Sequence, residues 1–242
     1  MKRIPSSASS EVAIALGTIG SYAIGWFLFV PLLVPVLNTL ASYPFMVIAL
    51  RRGELRIAVA RMLVWALTMG VCATAMSFWL PDTTDRLFIR GQAYRVEMHT
   101  WVMTGQGAES TPSAFIPQQA GHALVFSALA LATGGALAMP MGAALMNYMG
   151  HYVGTLAAIS PRPLVVMILG WHPWAVIRII SFVVIGVVLS GPLINRTWTF
   201  DWLERKLLVW AGAGLVADVV LKTLLAPTWQ RWLYQWVFQP AR

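Results

Sequence analysis

Residues 12–50 contain no Asp, Glu, Lys or Arg. One helix needs only about 20 apolar residues to cross a hydrocarbon core about 30 Å thick. In lipid the backbone must satisfy its own hydrogen bonds, so a run of this kind is helical. Pro31 and Pro35 fall in its middle, where a helix interior does not tolerate them. The pattern therefore predicts two spans, 12–30 and 33–50, joined by a tight apolar turn. The remaining composition agrees. The chain is 58% hydrophobic and 11% charged, with a mean hydropathy of +0.69, whereas a soluble domain carries about 25% charged residues. The expected fold class is an all-α, polytopic integral membrane helical bundle, a single transmembrane domain over residues 1–242.

Further apolar runs at 57–80, 119–139, 141–158, 174–193 and 207–226 bring the expected crossings to seven, or six if 141–158 is re-entrant. Arg51, Arg52, Arg56 and Arg61 are the densest basic group, and the positive-inside rule puts them, with Lys2 and Arg3, in the cytoplasm. Arg196, Arg205 and Lys206 fall on the same side. The expected location is a cell membrane of the bacterial inner-membrane kind, with a cytoplasmic N-terminus. The first apolar run is longer than a signal-peptide core of about 7–15 residues, which makes it a retained span. The net charge of +8 is scattered between spans and forms no basic surface, so nucleic acid is excluded as a partner. Cys72, the single cysteine, permits no intrachain disulfide or cysteine-based cluster.

The connection 81–118 carries Asp82, Asp85, Glu97 and Glu109 against three arginines, a balance suited to an extracytoplasmic loop. Within it Leu87, Gly91, Tyr94, Met98 and Trp101 recur at three and four, which predicts an interfacial amphipathic helix ended by Gly105 and Gly107. The tail, 227–242, places Trp229, Trp232 and Trp236 at helical spacing and reads as a second interfacial helix.

Several residues carry potential chemistry. Glu97, His99, Glu109 and His122 are the catalytic candidates, since carboxylates and imidazoles do general acid–base work. His122, His151, Glu97 and Glu109 are candidate ligands for a divalent metal. Topology gathers all four histidines, His172 included, in one half of the bilayer. Asp218 and Lys222, at i and i+4 in the last span, predict an intramembrane ion pair. Gly150 and Gly154 form a GxxxG that allows close helix approach within the chain or against a partner, and Asn147 offers an interhelical hydrogen bond.

Three functions fit these residues. The composition points first to a non-catalytic subunit or assembly factor of a membrane complex, bound to the lipid bilayer and to a membrane protein partner or a second copy through Gly/Ala-rich helices. The second is a membrane-embedded enzyme acting on a lipid or lipid-linked substrate through a His/Glu site near the outer leaflet. The third is a subunit of a small-solute or ion transporter with Asp218 as a proton or cation site.

Overall fold

The charge-free run divides where its prolines lie. In the computed structural model, which describes residues 7–239, α1 (Ser7–Leu28) ends before Pro31 and α2 (Leu33–Arg51) begins after it. Lys2 and Arg3 lie outside the described residues. The chain continues through α3 (Leu55–Trp79), α4 (Pro81–Leu87), α5 (Gly91–Thr104), a 3-10 turn (Ala108–Ser110), α6 (Pro112–Thr133), α7 (Ala138–Ala158), α8 (Pro163–Gly170), α9 (Pro173–Asn195) and α10 (Trp202–Phe238). The described residues contain no strand. Among the described residues six helices, α1, α2, α3, α6, α9 and α10, are long and apolar enough to cross a membrane.

The seventh long helix, α7, has 21 residues but carries Asn147, Tyr148, His151 and Tyr152. It accommodates them by being central, with every residue from Met149 to Ala157 buried. A helix enclosed by protein has no need of an apolar face toward lipid. Its most extensive partner is α3, and the approach is set by glycine. A Cβ on Gly150 would lie 2.5 Å from Cβ of Ala73, and one on Gly154 would fall onto the Thr74 carbonyl oxygen and within 2.7 Å of Ser77 Cβ. The GxxxG is thus used inside the chain. Asn147 makes the expected interhelical bonds: Tyr22 of α1 donates to its Oδ1, and its amide donates to Asn38 Oδ1 of α2 at 3.4 Å.

Three expectations are corrected. The stripe from Leu87 to Trp101 is two helices, because the chain breaks at Phe88–Arg90 with Arg90 in the left-handed region (φ 55°). The expected stop holds, with Gly105 at φ 72° closing α5. The sixth helix starts at Pro112, seven residues before the expected 119, with proline at its first position, where the missing N–H costs nothing. The tail beyond 227 is no separate helix but the end of α10, which runs 37 residues through Pro227. A capping box starts α10: Glu204 N–H donates to Asp201 Oδ1 at 2.7 Å and Asp201 N–H to Glu204 Oε2 at 2.8 Å. Its last turns are tied down. Gln230 Nε2 donates to the Val102 carbonyl at 2.5 Å, Trp229 Nε1 to that of Leu169 at 2.7 Å, and Ser160 Oγ to that of Trp236 at 3.0 Å. The short helices α4, α5 and α8 and the 3-10 turn therefore form a cap at one end of the bundle, held by the end of α10.

Candidate functional site

One long helix is loosely seated. Only Phe115, Phe126 and Ala130 of α6 are buried, and α6 leans on α9 while touching α7 lightly, although the turn between α6 and α7 is short. Gly134 and Gly135, both at positive φ, make that turn, and Tyr43 Oη donates to the Gly134 carbonyl at 3.2 Å. Between the splayed helices lies a cavity of about 430 Å³, within the 300–1,000 Å³ typical of ligand sites.

The cavity is divided by chemistry along its length. Away from the cap it is walled by Met62, Trp65 and Met69 of α3, Met139 and Met146 of α7, and Phe126 and Phe182 of α6 and α9. Six of the twelve methionines, counting Met46 and Met149, line it. Toward the cap the wall becomes polar: Arg90, Tyr94 and Glu97, then Glu109, then Gln118, Gln119 and His122 of α6, Tyr148 of α7, Arg178 of α9 and Lys222 of α10. Tyr94 stacks on Tyr148 with ring centroids 5.1 Å apart.

The charges at this end do not pair as i, i+4 spacing implies. Lys222 Nζ lies 2.9 Å from Glu109 Oε1 and 4.3 Å from the centroid of the Phe115 ring. Asp218 has Arg178 as its nearest cation, at 3.9 Å. The expected Asp218–Lys222 pair gives way to two pairs that each join α10 to another segment, because the 3-10 turn and α9 bring opposite charges nearer than the helix itself can. Several groups remain unbonded. Asp218 Oδ1 and both polar atoms of the Gln119 amide are buried with no hydrogen-bond partner among the described residues. His122 makes no side-chain hydrogen bond among the described residues.

A second polar cluster, on the opposite face of α7, is closed. Arg95 holds Asp85 at 2.5 Å, Asp85 Oδ1 lies 3.0 Å from His151 Nε2, and His151 Nδ1 lies 3.0 Å from Ser77 Oγ. A serine, a histidine and an aspartate in a row suggest a nucleophile relay. Ser77 and His151 are both 0% exposed, however, and neither lines the cavity. This array clamps α3, α4, α5 and α7 together. His99 Nε2 is 3.1 Å from Thr155 Oγ1, and His172 Nε2 is 3.2 Å from Tyr152 Oη while its ring stacks on Trp174. Burial, reinforced by Arg95 and then His151, holds the His99 imidazole down at about 4. Burial, with Lys222 and Arg178, lowers that of His172 to about 3.

The proposed ligand set for a divalent metal is therefore dispersed. Among the described residues no three His, Cys, Asp or Glu side chains are placed to hold an ion. His151 is committed to Asp85 and Ser77, whereas His122, Glu97 and Glu109 face the cavity. Of the catalytic candidates the cavity brings together Glu97, Glu109 and His122 and leaves out His99, which bonds to Thr155. No family model, curated protein or solved structure matches the chain. Sequence reasoning missed the two tyrosines, the Gln118–Gln119 pair and the methionine wall. The signal for the glutamines was present, since two adjacent amides in a helix otherwise apolar are costly unless they meet a partner or a void.

Proposed function

We propose that this chain is a multi-pass membrane protein that admits a lipid or lipid-linked amphiphile to the cavity and acts on it with Glu97 and His122 as the acid–base groups. The observation that carries this reading is the continuity of one void from a wall of methionine and aromatic rings to a cluster of unbonded polar groups. Methionine side chains are flexible and polarisable, and suit an apolar guest of irregular shape. His122, with no hydrogen bond among the described residues and in the cavity wall, is positioned to exchange a proton, while Glu109 is held by Lys222. The non-catalytic expectation has less support, because the GxxxG pair that a partner would use, Gly150 and Gly154, is turned onto α3.

In the same reading α7 is a seventh crossing, the basic end with Arg51, Arg52, Arg196, Arg205 and Lys206 is cytoplasmic, and the cap with the polar mouth of the cavity is outside. The lipid-facing remainder is the apolar outer surface of α1, α6 and α10.

The test uses the full-length protein in liposomes doped with a phospholipid bearing a diazirine in its acyl chain. Photolysis should leave adducts on Met69 and Met146, and Ala66→Phe, which fills the void, should remove them while adducts on the outward-facing Leu67 and Val71 persist. Absence of interior adducts in the wild type would sink the reading. For the chemistry, lipid extracts of cells expressing the wild type should differ from those expressing His122→Ala in one lipid class. Identical extracts would return the chain to the accessory-subunit reading.

A further inference from the structure

The polar mouth of the cavity is rich in donors. Arg178 carries five N–H groups in a planar fork, yet it makes no hydrogen bond among the described residues, and its one charge partner, Asp218, stands at 3.9 Å through a single nitrogen. Asp218 does not line the cavity, whereas Arg178 does. The Gln119 amide, in the same cavity wall, is buried with both Nε2 and Oε1 unbonded, and the hydroxyls of Tyr94 and Tyr148, two further wall residues, have no acceptor among the described residues. Arg90 adds a second guanidinium at the rim, held there by its left-handed backbone. Of the carboxylates in the wall, Glu109 is taken by Lys222 at 2.9 Å, while Glu97 has no cation partner among the described residues and sets one negative charge against these donors.

The Arg178 side chain keeps 26% of its surface accessible, so its unfilled donors are open to an acceptor that enters the cavity. The acceptor that satisfies a fork together with a flanking amide N–H and phenolic O–H groups is a tetrahedral oxyanion, which offers several oxygens in one plane of approach. Resting on the amphiphile reading above, we propose that the occupant carries a phosphate as its head, gripped by Arg178 with Gln119 as the second donor, and a single apolar chain that runs down the methionine wall. Arg178 sits about one and a half turns inside α9, and Val187, on the same helix, marks the apolar end of the wall. Nine residues of rise separate them, about 14 Å, so the head and the far end of the chain contact one helix.

The same groups would accept inorganic phosphate from water, and the experiment separates the two sources. Three photoactivatable probes share one diazirine-bearing chain and differ in the head: a phosphate, a free hydroxyl and a trimethylammonium. In proteoliposomes of the full-length protein the phosphate probe should label Met69 and Met146 about tenfold more than the hydroxyl probe, and the trimethylammonium probe least. Arg178→Gln should bring the phosphate probe down to the hydroxyl level and leave hydroxyl labelling unchanged, while Arg178→Lys should retain part of the preference. Gln119→Leu, away from the ion pairs, should lower the preference without loss of folded protein. Equal labelling by all three probes would overturn the phosphate assignment and leave the amphiphile reading standing. No interior label from any probe would end both. Displacement of the phosphate probe by inorganic phosphate at the probe's own concentration would overturn the lipid source.

Discussion

The two faces of α7 treat polar groups in opposite ways. On the face toward α3 and α4 every polar atom of His151 is bonded, to Asp85 and to Ser77, and the helices are so close that Gly150 and Gly154 leave no room for a Cβ. On the face toward α6 and α9 the helices stand apart, Tyr148 looks into a void, and Gln119 and His122 across that void are unbonded. Both faces carry a histidine-bearing cluster at the same end of the bundle. The contrast shows that an ionisable residue in a membrane-spanning bundle is not a functional signal by itself. What distinguishes the clusters is whether the hydrogen-bonding capacity has been used up.

Substitutions should separate the two faces, beginning with the largest effect. Gly154→Leu drives a side chain into the Thr74 carbonyl and Ser77, so no folded protein is expected on size-exclusion of detergent extracts. Gly142→Ala on the cavity face, where a Cβ meets only Phe126 at 3.2 Å, should cost no more than about 1 kcal/mol. Next comes Lys222→Met, which strands Glu109 at the mouth and should cost about 3 kcal/mol in detergent unfolding. The double variant Lys222→Met/Glu109→Leu should regain most of it, and failure to do so would mean the pair is more than an ion pair. His151→Ala leaves Ser77 and Asp85 without their partner and should cost about 2 kcal/mol, whereas His122→Ala should stay within about 0.5 kcal/mol. Equal losses at the two histidines would erase the distinction drawn above.

The smallest effect is in pH. The folded chain holds His99 at about 4, below the usual value of about 6.5, so the unfolded chain binds the proton first. Its contribution is complete above pH 6.5 and is lost as the pH falls through about 4. His99→Gln, which keeps a donor for Thr155, should flatten the fall of Tm over that window. His172, at about 3, should leave a residual slope below it.

The long helices were legible because their cause is local. Charge-free runs, prolines and glycines set the ends of α2 and α3 and the C-terminal ends of α1 and α5 within a few residues. The length of α10 was not, because nothing in TWQRWLYQWVF says that the cap will bond to it through Trp229 and Gln230. At the site, Glu97, Glu109 and His122 were found by residue type alone. His151 was misassigned because its partners, Ser77 and Asp85, lie 74 and 66 residues away, and only packing brings them together. The void escaped notice for the same reason: a cavity is where helices fail to meet, and no single helix records it.

Trp202 and Trp232, both exposed, stand thirty residues apart on α10, about 45 Å along the helix axis, which matches a bilayer measured across its headgroups. Since α10 is anchored at the cap by Trp229, Gln230 and Trp236, it works as a fixed gauge. A membrane thinner than this span would have to thicken around it or let it tilt, and the Lys222–Glu109 contact at 2.9 Å ties the helix to the 3-10 turn of the cap.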